Sequence, residues 1–393
     1  MAGERLAKAL KGYRGRYGKA SSKRERGEVL TEFCKATGYH RKYAIALLSR
    51  VEQEGNQARP RRRGRTYSAA AMRVIERIWK TAGCPWSVRL KALLPMWLPW
   101  ARKHMQDLTP EVEAQVLRMS ARQIDRRLKE KKRALKRRLY GRTKPGTLLK
   151  RQIAIKTACW DVSEPGFTEI DTVAHCGSCA SGEFGHSLNV TDLLTQWVET
   201  RAVLGRGEQG VVRALDQIRR ELPFRLRGID SDNGSEFINY HLAGYCQKHH
   251  LEFTRSRPYK KDDNAHIEQK NWTHVRKVFG WERYDTSEVL DAMNELYRNE
   301  LRLMMNLFQP SVKLTSKERV GSRLRRHYDA AKTPLDRLID FYEGKGLPLA
   351  VQRLVLLRER LDPFELSQRI EEKLRAVERL RRGERGELAV LCT

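Results

Sequence analysis

The sequence predicts a multidomain α and α/β chain: N-terminal helix-turn-helix modules, a central mixed-sheet domain and a mostly helical C-terminal region. Three observations predict it. Positive charge is concentrated in the first part of the chain, where residues 1–150 hold 39 Lys/Arg against 12 Asp/Glu, while residues 151–393 hold 39 against 36. Short extended runs with alternating apolar residues begin near residue 167, after a Pro-Gly turn. Helical periodicity dominates both before and after that stretch.

Composition sets the limits. A chain of 393 residues with a formal charge of +30 can build two or three domains with real cores. The charge excess is 27 in the first 150 residues and 3 in the rest, so the N-terminal part is expected to meet a polyanion, and nucleic acid is the usual one. A merely soluble basic surface is the plainer reading. Seven cysteines at irregular positions 34, 84, 159, 176, 179, 246 and 392 argue for reduced thiols and a cytosolic compartment. No apolar run approaches the roughly 20 residues that cross a bilayer, and the charged start lacks a signal-peptide core.

Taken in order, residues 1–26 are basic and weakly periodic and read as a partly disordered arm. Val29, Leu30 and Phe33 then make an apolar helical face, Thr37 and Gly38 supply a turn, and residues 40–48 form a second short helix with Ile45, Leu47 and Leu48 inward. As a helix-turn-helix, this pair presents His40, Arg41, Lys42 and Tyr43 to a major groove; an ordinary helical hairpin has the same pattern. Arg61, Arg62, Arg63 and Arg65 lie in a cationic linker suited to a minor groove or to phosphates. Residues 68–104 read as two helices, with Met72, Ile75 and Ile78 toward a core and Trp86, Trp97 and Trp100 as packing residues. Thr109 and Pro110 open a further helix lined by Val112, Val116 and Leu117. Residues 119–128 complete a second helix-turn-helix, with Ser120, Arg122, Gln123, Arg126 and Arg127 facing DNA.

The central domain reads as strands 167–174, 184–191 and 197–203, helix 208–222, strand 225–231, helix 235–249, strand 251–255 and helix 264–279. Three acidic segments lie on it: FTEIDT at 167–172, IDSDNGSEF at 229–237 and NAHIEQKN at 264–271. Asp171, Asp232 and Glu268 are the candidate metal ligands. Hard oxygen donors suit Mg²⁺ or Mn²⁺, and two such ions on shared carboxylates can activate an attacking oxygen and stabilise a leaving one in phosphoryl transfer. Asp230 competes with Asp232, since two residues apart on a strand share a face. Asp262 and Asp263 precede the helix and suit a solvated loop and an N-cap, and Asp192 suits a strand end.

DNGSEF at 232–237, RPY at 257–259 and a helix bearing Glu268 together resemble the DDE catalytic core of retroviral integrases and bacterial insertion-sequence transposases. The 35 residues between Asp232 and Glu268 match the interval of that family. The resemblance covers about residues 160–280 and implies a ribonuclease H-like fold. It further implies two Mg²⁺ or Mn²⁺ ions per active site, double-stranded DNA (transposon ends and target) as partner, and a homodimer or higher oligomer on that DNA. No membrane partner is expected, and a cytoplasmic, prokaryotic location follows, on the nucleoid when DNA is bound. The implied activity is recognition of terminal inverted repeats followed by strand cleavage and strand transfer. A metal nuclease that does not join, and a transposase-derived DNA-binding regulator, are the rivals.

Around this centre, His175, Asn233, Asn264 and Asn271 are candidates to support the carboxylates, the last two because i−4 and i+3 share a helix face with Glu268. Lys260, Lys261 and Lys270, with Arg276 and Lys277, are candidate phosphate contacts. Cys176 and Cys179 form a lone CxxC that would need further ligands, such as Cys246 and His249, to hold zinc. Beyond Trp281, residues 285–288 (DTSE) suggest a capping box, and Leu290, Met293, Tyr297, Leu301 and Met304 a core stripe. Residues 320–340 read as basic and then helical. The resulting division is 1–56 arm and helix-turn-helix, 57–66 linker, 67–140 second module, 141–158 linker, 159–283 catalytic core and 284–393 helical region.

Overall fold

The computed structural model describes residues 2–49, 67–136, 162–205, 207–231, 240–255, 270–320 and 323–383. The chain forms two compact units, Met1–Thr66 and Tyr67–Thr393.

The first unit contains α1 (Ala2–Lys19), α2 (Lys23–Thr37) and α3 (Arg41–Leu48). The arm expected at residues 1–26 is instead helical over most of its length. Leu10, Tyr13 and Tyr17 recur at helical spacing and pack on Leu30, Phe33, Ala44 and Leu48, with Tyr13 edge-on to Phe33 at 5.3 Å. Glycines 12, 15 and 18 hide that stripe in the sequence, because they lower helix propensity without interrupting the apolar face. Gly38 ends α2 in the left-handed conformation (φ 69°) and returns its N–H to the Cys34 carbonyl. Ile45, expected inward, is exposed, since Ala44 and Leu48 hold the buried face of α3.

In the second unit α4 (Ala69–Thr81), α5 (Ser87–His104), α6 (Pro110–Arg118) and α7 (Ala121–Lys136) precede the sheet. Thr109 caps α6 by accepting from the Val112 N–H, with Pro110 in the first turn. Ile75, Ile78, Trp97 and Val116 are buried, but Leu117 lies outside the core and Trp86 is 76% exposed, correcting its reading as a packing residue. The Trp86 ring precedes the first turn of α5, and its neighbour Ser87 turns inward instead. Trp97 donates to the Phe308 carbonyl, so these helices share a core with the C-terminal ones.

The sheet comprises β1 (Phe167–Ala174), β2 (Gly185–Asp192), β3 (Val198–Leu204), β4 (Gly228–Ser231) and β5 (Glu252–Arg255), with α8 (Glu208–Glu221) and α9 (Tyr240–Lys248) between the later strands. Its order is β3-β2-β1-β4-β5, antiparallel across β1–β2–β3 and parallel across β1–β4–β5. Strands and helices follow the order read from the sequence. Gly166 makes the entry turn into β1 at φ 118°, where a Cβ would stand 2.2 Å from the Arg225 carbonyl oxygen. Asp192 takes the strand-end role: it accepts from the Gly166 N–H and from the N–H and hydroxyl of Thr195.

A helical segment, α10, runs as a π-helix over Asn271–Arg276 and as an α-helix over Lys277–Phe279. Next, α11 (Ser287–Leu296) continues through π-helical turns at Tyr297–Leu301 and Met304–Phe308 and buries the whole expected stripe from Leu290 to Met304. Its cap is Thr286, which accepts from Val289 N–H; the expected box at 285–288 is therefore one residue out of register. Of residues 320–340, expected to be basic and then helical, the basic part is instead a strand: β6 (Leu314–Val320) and β7 (Arg323–Tyr328) form a hairpin, and the helix begins at Pro334. The chain closes with α12 (Pro334–Phe341), α13 (Leu349–Arg360) and α14 (Pro363–Arg381).

Candidate active site

The two faces of the sheet differ in chemistry. Ile170, Leu188, Val190, Val203 and Ile229 point to one face, where they pack with Val211, Leu215 and Ile218 of α8 and Leu242 of α9. The alternate residues of the same strands include many polar ones, Glu169 and Asp171 on β1, Ser187, Asn189 and Thr191 on β2, Thr200 on β3, Asp230 on β4 and Thr254 on β5, beside the apolar Val173, Val198 and Ala202. Most are buried. Burying so many polar groups on one sheet face costs free energy unless each is hydrogen-bonded, so this face is built by its partners.

Asp171 sits at the middle of it. Its Oδ1 accepts from the Thr172 N–H at 2.7 Å, and its Oδ2 accepts from Asn271 Nδ2 on α10 at 2.6 Å. Asn271 Oδ1 in turn accepts from Asn189 Nδ2 at 2.9 Å, and Asn189 is the cross-strand partner of Asp171. Two amides thus clamp the start of α10 onto the β1–β2 pair. A π-helical turn at this point suits such a role, because the extra residue per turn re-aims side chains. On β4, Asp230 accepts from the Thr254 hydroxyl at 2.6 Å and is registered opposite Glu169. Ser231, the last described residue of β4, pairs with Ile170, the residue before Asp171.

Among the expected site residues, Asp232, Glu268, Asn233, Asn264, Lys260, Lys261, Arg61, Arg62, Arg63 and Arg65 lie outside the described residues. Asp171 and Asn271 come together. Lys270 does not face solvent: it is 4% exposed and donates to the Gln196 carbonyl, which corrects its reading as a phosphate contact. Burial, helped by Arg89 and Arg337, depresses its pKa to about 7. His175 is fully buried, its Nε2 at 2.8 Å from Ser187 Oγ, which reaches the Tyr297 hydroxyl at 2.8 Å. Burial pushes its pKa down to about 3, so the imidazole is neutral and belongs to a buried hydrogen-bond chain. Arg122, Arg126 and Arg127 are exposed on α7, and Arg41, Lys42 and Tyr43 on α3. His40 caps α3, its Nδ1 accepting from the Lys42 N–H.

Among the described residues no three His, Cys, Asp or Glu side chains converge as a metal site. Cys176, Cys179, Cys246 and His249 are all described and form no such group, and Cys246 is buried in the apolar layer beside the sheet. The sequence reading missed Asn189 and Glu169. Their signal was the alternation of polar residues along β2 and β1, which resembles a solvated sheet face until a helix is known to cover it.

Comparison with known proteins adds a relative. Over 321 residues the chain is 36% identical to the uncharacterized protein y4rM of Sinorhizobium fredii (strain NBRC 101917 / NGR234), covering 81% of this chain and 91% of that protein. The chain belongs to the y4rM family. No family model matches it. Among solved structures, the HTLV-2 integrase catalytic core domain in complex with magnesium aligns in its dimeric form with 37% of this y4rM-family chain and 90% of its own, at 14% identity and a TM-score of 0.28. The trimeric form aligns at 14% identity and a TM-score of 0.27, with 37% and 88% of the two chains covered. Scores this low do not show a shared fold. Among the described residues of this family member, no helix is long and apolar enough to cross a membrane.

Proposed function

We propose that the chain is a DNA transposase of the DDE class, with a ribonuclease H-like core that cuts and joins strands and helical modules that bind the element's terminal inverted repeats. The observation that carries this reading is the hydrogen bond from Asn271 to Asp171. It anchors on Asp171 the first described turn of α10, and Ser231, the last described residue before Asp232, pairs with Ile170, the residue before Asp171. Two residues separate Glu268 from Asn271 in the sequence, so their Cα atoms lie at most about 11 Å apart. The described ends of the segments that carry Asp232 and Glu268 thus meet β1 at Ile170 and Asp171.

Asp171, Asp232 and Glu268 would hold two Mg²⁺ or Mn²⁺ ions, and hard oxygen donors fit such cations. When bound, the ions supply activation of the attacking oxygen and stabilisation of the leaving one. The chain's own part is positional. Asn271 and Thr172 N–H fix both oxygens of Asp171, and Asn189 fixes Asn271. Arg41, Lys42, Arg122, Arg126 and Arg127 are candidate phosphate contacts, and a dimer or larger assembly would pair two DNA ends.

Strand transfer with purified protein, Mg²⁺, labelled DNA carrying the element's flanking repeats and a plasmid target tests this. Joined product should disappear in Asp171→Asn, Asp232→Asn and Glu268→Gln while DNA binding persists. Joining that survives any one substitution would refute the triad, and cleavage without joining would make the protein a nuclease.

A further inference from the structure

In the β6–β7 hairpin every described side chain beyond Leu314 is exposed. Thr315, Ser316, Glu318 and Arg319 on β6, and Arg325, Arg326, His327 and Tyr328 on β7, are all exposed. Consecutive residues of a strand point to opposite faces, so both faces of the ribbon meet solvent. An isolated two-stranded hairpin is marginal in water, and no described side chain from Thr315 to Tyr328 is buried. Its charge is one-sided. Residues 314–328 contain five Lys/Arg and one Asp/Glu, and the register sets that acid, Glu318, opposite Arg325. The single acid, Glu318, lies 3.4 Å from His327.

The root of the ribbon, by contrast, is pinned firmly. Asp329 accepts from the Lys313 N–H at 2.6 Å, its own N–H returns to the Lys313 carbonyl, and Arg337 bridges Asp329 and the Ser311 carbonyl. Lys313 Nζ donates to the Leu194 carbonyl in the β2–β3 turn. Two residues along, the Gln196 carbonyl of that same turn accepts from Lys270, the residue before Asn271. One turn therefore holds both the ribbon's root and the start of the helix that reaches Asp171. A rigidly rooted cationic ribbon with exposed side chains on both faces is arranged for a polyanion that can surround it. Seven strand residues span roughly 20 Å, and the major groove of duplex DNA, about 12 Å wide, admits a two-stranded ribbon.

We propose that the β6–β7 ribbon is a duplex-DNA contact that seats in a groove, with Arg319, Arg325 and Arg326 on the phosphates. This rests on the reading of the chain as a DNA-processing enzyme.

The test is binding of the full chain to an arbitrary-sequence 30-base-pair DNA duplex, without divalent cations, by fluorescence anisotropy between 50 and 200 mM salt. If three phosphate contacts are lost in Arg319→Ala/Arg325→Ala/Arg326→Ala, the slope of log affinity against log salt should become shallower by about 2.7. The wild-type advantage should then be about 40-fold larger at 50 than at 200 mM. Glu318→Lys should tighten binding and steepen the slope by about 1, and this gain decides the matter should the triple variant lose structure. Wild-type binding that neither variant alters overturns the ribbon proposal alone, as does a loss confined to duplex RNA. A wild-type chain that binds no duplex at 50 mM overturns it together with the DNA reading.

Discussion

Replacing Asn271 by Leu should release α10 from the sheet, and the structure sets the size of the effect. The substitution keeps the side chain's bulk while removing a 2.6 Å charge-assisted hydrogen bond to Asp171, worth about 1.5–3 kcal/mol. It also strips the acceptor from Asn189 Nδ2, and Asn189 is fully buried, which adds about 1–3 kcal/mol. A total loss of about 3–5 kcal/mol follows. Asn189→Leu removes the other half of the amide pair, so the double variant should cost about 1–2 kcal/mol less than the two single costs added together. Urea unfolding followed by tryptophan fluorescence measures this cleanly, because all eight tryptophans fall in residues 67–393 and report on that unit alone. Strand transfer should fall in parallel with the release of α10. A loss under about 1 kcal/mol for Asn271→Leu, or strictly additive costs, would refute the amide clamp as the device that holds α10 against Asp171.

Three further outcomes follow from buried charge. Lys270 has a depressed folded pKa of about 7, so its penalty is absent above pH 10.5, grows as pH falls and is complete below about 7, at the order of 5 kcal/mol. Lys270→Met should therefore raise the unfolding midpoint at pH 7 and much less at pH 10; equal effects would contradict the burial argument. His175, depressed to about 3, costs stability as pH falls from about 6.5 towards 3, so His175→Phe should gain on the wild type by up to about 1.4 kcal/mol per pH unit across that window in acid titrations. Glu199 joins buried Arg201 and Arg302, with Trp197 Nε1 also donating to it; Glu199→Ala should cost about 3–5 kcal/mol in urea unfolding and Glu199→Gln clearly less.

Much of the central domain was legible in the sequence because its signals are local. Strand alternation, the Pro-Gly entry to β1 and the Thr109-Pro110 start of α6 each depend on neighbouring residues, and each stands where the sequence put it. Asp171 was singled out for the same reason, by its place on the extended run that follows the Pro-Gly turn. Other features needed the tertiary structure. Helix α1 was hidden by glycines, and only packing of Leu10, Tyr13 and Tyr17 on α2 and α3 recovers its face. The β6–β7 hairpin was hidden because Leu314, Val320 and Leu324 are too few and too widely spaced among its polar residues to make a period. Lys270 looked like a phosphate contact until its burial against the β2–β3 turn was seen, since a lysine's position in sequence says nothing about what covers it. By itself the sequence determined the order of the central strands and helices and put Asp171 forward as a candidate, because both follow from residue type and spacing. Only the tertiary structure decided that the polar face of the sheet is covered and that Asn189 and Asn271 fix Asp171, because those contacts join residues 82 and 100 positions apart and only folding brings them together.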